Sequence, residues 1–154
     1  MPTGDSVLEK ISQNVLTTLQ TITTPTYAIT LDVARATKVQ RAPKHLNVDI
    51  FQVGPDPDDS EVVAADTWFQ HYACVCYVQP GDDDTTPVDV YVNQIHAAMY
   101  HALMADVTRR GNAMNTVIMP YLPFPPINGE AGGLTFAFKV HYRTVIDDPY
   151  TAAN

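Results

Sequence analysis

Five histidines and two cysteines are the side chains of this 154-residue chain best suited to hold a metal ion, and their spacing argues against it. His96 and His101 stand in one helical stretch at an offset of roughly 140° around the axis, so they do not share a face. A zinc-binding helix places its histidines at i and i+4. Cys74-Val75-Cys76 sets two thiols on one face of a strand, whereas structural zinc sites separate their cysteines by at least two residues. Two buried core cysteines are therefore expected. Asp56, Asp58 and Asp59 resemble the opening of a calcium loop, but Pro55 and Pro57 interrupt it, and no glycine or bidentate glutamate follows at the required offset. For nucleophilic chemistry the chain offers only Ser6, Ser12 and Ser60, with no Gly-x-Ser-x-Gly elbow. Neither glycine-rich phosphate or dinucleotide motif occurs. The expectation is a protein without catalytic residues, metal or cofactor.

The elements that would position side chains are read from periodicity. Val7, Leu8, Ile11, Val15, Leu16, Leu19 and Ile22 recur on one helical face. Ser6-Val7-Leu8-Glu9 fits a capping box, with the Ser6 hydroxyl and the Glu9 carboxylate each satisfying an amide donor. Thr23, Thr24 and Pro25 close the helix. Tyr27, Ile29, Leu31 and Val33 alternate with small or polar residues and predict a strand near residues 27–39; Leu46, Val48 and Ile50 predict a second. Gly54 to Asp59 reads as a solvated acidic turn. A longer strand, from about Asp66 to Val78, puts Trp68, Gln70, Tyr72, Cys74 and Cys76 on one face and Phe69, His71, Ala73, Val75 and Tyr77 on the other. Apolar residues on both faces imply a central strand covered on both sides, or covered by a neighbouring subunit.

After the acidic loop Gln79 to Asp84 the period changes. Thr86 is suited to an N-cap, Pro87 to the first helical position and Asp89 to the positive end of the helix dipole. Val88, Val92, Ile95, Met99, Leu103 and Val107 form the stripe of a helix over about residues 87–109, with Arg109 and Arg110 at its negative end and Gly111 as the C′ residue. Thr116 to Met119 predicts a short strand. Pro120 to Pro126 is too rich in proline for an interior strand and is biased toward polyproline II. Gly129 to Gly133 permits a turn, and Leu134 to Val145 alternates as a final strand. The order α-β-β-β-α-β-β predicts one α+β domain over residues 1–154, with two amphipathic helices on a mainly antiparallel sheet of about five strands.

Charge says more about partners than any motif. Nine basic residues stand against 17 acidic ones, a net charge of −8, which argues against sequence-specific nucleic-acid binding. No stretch of 18 apolar residues suggests a membrane span, no signal peptide is expected, and the two cysteines fit a reducing compartment. Arg35, Lys38, Arg41 and Lys44 fall within ten positions, while His45 to Thr108 holds 11 acidic residues and no Lys or Arg. Such segregation reads either as a solvated acidic surface with a basic hairpin or as a self-complementary molecule, in which the basic hairpin is the candidate contact and Asp56, Asp58, Asp59, Asp82, Asp83 and Asp84 are the candidate acidic partners. Exposed charges contribute little to folding, so charge reversal across the basic hairpin is expected to leave the fold intact. Tyr121, Leu122 and Phe124 are further candidate contacts, either as an arm on a neighbour or as a loop over the chain's own core.

The closing segment Val140-His141-Tyr142-Arg143-Thr144-Val145-Ile146-Asp147-Asp148-Pro149-Tyr150 resembles the last strand of tail terminator and minor tail proteins of long-tailed bacteriophages, where an apolar-x-Tyr-Arg strand runs into an Asp-Pro exit. Ala34-Arg35-Ala36-Thr37-Lys38, the strand Leu46 to Val53, and the run Ala105 to Ala113 are similar to further segments of that family. The resemblance implies a ring, usually a hexamer, that docks on the finished tail tube, stops its polymerisation and presents a surface to a head-completion or connector protein. Its implied location is the head-proximal end of the virion tail, after assembly in the host cytoplasm. Tail completion and head closure are neighbouring roles. The reading from another class is a small α+β domain with a ligand near Trp68, Tyr72 and Tyr91.

Overall fold

A computed structural model describes residues 4–36, 41–42, 44–58, 65–126 and 131–153. The chain runs α1 (Val7–Gln20), β1 (Asp32–Arg35), β2 (Asn47–Pro57), β3 (Ala65–Val78), α2 (Val88–Met104), β4 (Asn115–Ile118), β5 (Leu122–Phe124), β6 (Gly132–Val145) and β7 (Asp148–Ala152). This is an α+β fold. Its sheet has seven strands, ordered β1-β2-β3-β6-β4, with β5 and β7 also on β6. Every pairing is antiparallel except β1 with β2.

The two long strands β3 and β6 pair along their whole length, from Ala65 opposite Val145 to Val78 opposite Gly132. Strict alternation sends Tyr72, Cys74, Cys76, Phe136, Phe138 and Val140 to one face, where all are buried. Both helices lie on that face. From α1 the Ser12 hydroxyl bonds the Tyr72 hydroxyl at 2.8 Å, and from α2 the Met99 sulfur sits 3.6 Å from Cys76 Sγ. Burial pushes both thiols above their ordinary pKa and disfavours the thiolate form.

Several boundaries differ from the periodicity reading. The helix α1 has its Ser6 cap, with Glu9 N–H donating to Oγ at 3.2 Å, but the Glu9 carboxylate turns to Arg35 instead of completing the box. The first strand is only Asp32–Arg35; Ile29 and Leu31 are buried ahead of it without a strand partner. Because β1 and β2 run parallel, the basic segment between them is a return connection and not a hairpin. The expected acidic turn is partly strand, since β2 continues through Gly54 to Pro57 after an irregularity between Val53 and Asp56. The helix α2 starts after Pro87, not Thr86, and ends at Met104. The Asp106 carboxylate takes the amides of Thr108 (3.1 Å) and Arg110 (2.7 Å), a local arrangement that competes with helix continuation.

The outer edge of β6 is covered piecewise. Short β5 pairs with Gly133 to Thr135, β4 with Phe138 to His141, and β7 with Thr144 and Val145. Proline in β5 fits because edge strands need only one side of their backbone groups paired.

Candidate assembly surface

Two of the four basic candidates, Arg35 and Arg41, are tied to carboxylates of their own chain. Arg35 grips the Glu9 carboxylate at 2.6 and 3.2 Å, tying the end of β1 to α1. Arg41 bonds Asp49 at 2.8 Å, Asp32 at 3.2 Å and the Val48 carbonyl at 2.9 Å. Lys44 is exposed, and Lys38 lies outside the described residues. Two of the four candidate cations therefore have partners in their own chain. This revises the expectation that reversing them is harmless: the Asp49 side chain is only 4% exposed, and without Arg41 it would be a buried carboxylate lacking its cation. Arg41→Ala should lower unfolding free energy by roughly 2–3 kcal/mol, read by urea denaturation. A loss below about 0.5 kcal/mol would show the pair to be an ordinary surface contact.

The acidic candidates divide in the same way. Asp56 reaches His71 Nε2 at 3.3 Å, and Asp58 reaches His141 Nε2 at 2.9 Å. Asp84 accepts from the Thr86 amide at 2.9 Å and from the Tyr91 hydroxyl. Asp82 and Asp83 are exposed in the turn that leads from β3 to α2. Asp59 lies outside the described residues. In the proline-rich segment, Tyr121 lies 4.4 Å from the His96 ring of α2 and Phe124 meets Tyr77 edge-on at 6.2 Å. Both lean on their own chain, while Leu122 is 71% exposed.

His45 and Glu9 contribute to the response to acid beside three aspartates. Asp84 and Asp148 are held below their usual pKa by hydrogen bonds from Tyr91 and Thr151, and Asp106 is held down, against the upward push of burial, by the Arg110 amide. Burial lowers the His45 pKa, against a smaller opposing pull from Asp84, and its Nδ1 accepts the Gln79 amide at 3.2 Å. The Arg35 hydrogen bond holds the Glu9 carboxyl below its usual value. A depressed folded pKa means the unfolded state binds protons first, so stability falls with pH in both cases. Melting temperature should therefore decline in two stages, from about pH 6.5 through His45 and from about pH 4.3 through Glu9 together with Asp84, Asp106 and Asp148. His45→Gln should remove the upper stage and Glu9→Gln blunt the lower; a profile unaltered by either substitution would refute the assignment.

The feature that periodicity reasoning noticed without resolving is the second face of the long strands. No helix among the described residues packs there. Across the sheet, the outward side chains form rows: Phe51, Ala73 and Ala137 with Met119 beyond, then Val53, His71, Lys139 and Val117. Val53 is 59% exposed, and Val117, Met119 and Leu122 are also exposed. An antiparallel sheet facing water is normally polar on that side. At one end Phe69 stacks on His141 at 4.5 Å, and Lys139 Nζ lies 4.6 Å from the Phe69 ring centroid.

The aromatic trio considered for a ligand is not gathered. Tyr72 is buried in the core, Tyr91 packs on His45, and Trp68 lines a separate cleft of about 380 Å³ with Tyr142, Asp66, Asp147 and Asp148. Among the described residues no group of three or more His, Cys, Asp or Glu side chains is placed to hold a metal ion, and no helix is long and apolar enough to cross a membrane. Compared with known proteins, the sequence matches no family model and no curated protein.

Proposed function

We propose that this chain is a structural protein of a bacteriophage neck: a ring subunit, hexameric in the family it resembles, that caps the tail tube, stops its polymerisation and offers the head-joining surface. The observation that carries the reading is the outward face of the sheet, on which no helix among the described residues packs, with Phe51, Val53, Ala73, Ala137, Val117 and Met119 where a solitary domain would place polar residues. Of the family-like Tyr142-Arg143 pair in β6, Arg143 falls on the outward register and Tyr142 is buried on the helix-covered side, and the Asp148-Pro149 exit opens β7. On this reading the partners are further copies of the chain, the tube protein and a connector or head-completion protein. Native mass spectrometry and negative-stain microscopy of the purified protein test it, together with mixing it with growing tail tubes. Rings and arrested tubes support it. A monomer at every concentration that leaves tube growth unaffected overturns it, and rings that bind connectors but not tubes would assign a head-closure role instead.

One observation favours a ligand-binding reading, the cleft walled by Trp68 and Tyr142. Trp68 is the chain's single tryptophan, so its emission reports on occupancy directly. A saturable emission change with a small molecule, on a protein that stays monomeric, would favour this reading over the ring.

A further inference from the structure

The cleft of about 380 Å³ beside the start of α1 is built on one cross-strand pair. Trp68 and Tyr142 stand directly opposite each other on β3 and β6, so both side chains leave the same face of the sheet as neighbours, and both line the cleft. Tyr142 is 4% exposed, yet its hydroxyl makes no hydrogen bond among the described residues. A phenol buried that deeply ordinarily finds a partner in its own chain. Here the place left for one is the cleft, whose volume falls among those of small-molecule sites, about 300–1,000 Å³.

Charge decides what kind of molecule fits. Asp66, Asp147 and Asp148 line the cleft, and among the described residues its lining holds no Lys, Arg or His. None of the three carboxylates is in an ion pair among the described residues. Asp66 accepts the Asp147 amide at 3.4 Å, and Asp148 accepts the Tyr150 amide at 2.9 Å and a bond from Thr151. The Asp147 carboxylate makes no hydrogen bond among the described residues. Lys10 acts on Asp148 from outside the lining, with its Nζ on the Tyr150 carbonyl at 3.5 Å. The three carboxylates are not placed to share a metal ion. Their charge is therefore matched by a larger, organic cation.

We infer that the cleft binds an aliphatic ammonium ion, with Asp147 and the Tyr142 hydroxyl accepting its N–H groups and Trp68 flanking its charge and chain. A protonated amine answers each part of the lining. Its N–H groups donate to a carboxylate and to the phenol oxygen, its charge is favoured against an indole ring, and its methylenes cover apolar surface. An anion meets three carboxylates and no cationic side chain. This inference rests on the ligand-binding reading of the cleft and not on whether the chain forms rings. A free amine and a lysine side chain of another protein carry the same head group, and the choice of probe tells them apart.

Three probes of one chain length and different charge test it, hexylammonium, hexanol and hexanoate, titrated against Trp68 emission. Trp68 is the single tryptophan, so an amine condensed elsewhere on this acidic surface leaves the signal unchanged. Hexylammonium should saturate, hexanol should bind roughly tenfold or more weakly, and hexanoate should not bind. Asp147→Asn keeps a residue suited to the φ of 60° at that position. It should weaken hexylammonium roughly tenfold and leave hexanol unchanged. Tyr142→Phe gives up no internal bond, so it should melt like the parent and bind the amine several-fold more weakly. Nα-acetyl-lysine methylamide binding more tightly than hexylammonium assigns the head group to a protein's lysine, and weaker binding assigns it to a free amine. Hexanol or hexanoate binding as tightly as hexylammonium, or full retention of the amine by both variants, overturns the cation assignment while the cleft remains a ligand site. No saturation by any probe overturns both.

Discussion

Gly133→Ala is expected to leave no cooperative unfolding transition under conditions where the parent melts as one. A methyl group at Gly133 would lie 1.8 Å from the Cys76 carbonyl oxygen and 2.9 Å from the Phe124 ring, at a backbone φ of +152°. The carbonyl belongs to β3, so relief requires separating the two central strands where they pair Cys76 with Leu134 and Tyr77 with Gly133. That disrupts the ladder on which every other strand except β1 is directly built. A clash with backbone inside a core is among the few causes that remove more than about 4–5 kcal/mol, a large share of the roughly 5–15 kcal/mol that holds a domain folded. Gly111→Ala is the control: its φ is +76°, but nothing lies within 4 Å of the added atom. It should cost only the left-handed strain, about 1–2 kcal/mol. Circular dichroism melts separate the two, and a Gly133→Ala protein that melts within a few degrees of the parent would show that the strands pass each other differently.

Arg109 is the second position of large effect. Its side chain is fully buried, yet among the described residues it has no carboxylate in hydrogen-bond contact. Nε donates to the Thr116 hydroxyl at 3.0 Å and one terminal nitrogen to Asn14 Oδ1 at 3.4 Å, while the other donates to the Leu103 carbonyl. Burial lowers its pKa, with Asp106 opposing. The Leu103 carbonyl is in the last turn of α2, so the cation sits at the negative end of that helix dipole, a partly buried geometry that favours it. Arg109→Ala should cost roughly 3–5 kcal/mol through the lost hydrogen bonds and the cavity left behind. Arg109→Met fills the cavity and should recover part of that loss, measured as the difference in unfolding free energy in guanidinium chloride. If Met and Ala are equally destabilising, the hydrogen bonds and not the volume account for the effect.

Arg109 also shows how far periodicity reached. Placing it at the negative end of the second helix was correct in its electrostatics and wrong in its route, because the helix stops at Met104 and the side chain returns from the turn beyond. The helices and the long strands β3 and β6 were legible because their patterns extend over many residues and each is decided by its own apolar face. The short strands were not. Leu122–Phe124 and Asp148–Ala152 pair only because β6 offers a free edge, which is a property of distant sequence. The parallel pairing of β1 was hidden for the same reason, and the run of basic residues gave no sign that Arg35 and Arg41 would meet Glu9, Asp32 and Asp49. The outward face was visible as an anomaly, apolar residues on both sides of one strand, but identifying the uncovered side required knowing where both helices settle.

The piecewise cover of β6 governs how the molecule breathes. A single long neighbour could peel away and bare fourteen residues of strand at once, a template on which another chain would grow. Here the guard is divided among segments of four, three and five residues. Fluctuations that lift one of them expose only about 10–17 Å of ladder, and a two-stranded contact that short is marginal in water. Each opening is therefore brief and unproductive, and the long strand stays inert toward runaway addition even while its margin is in motion.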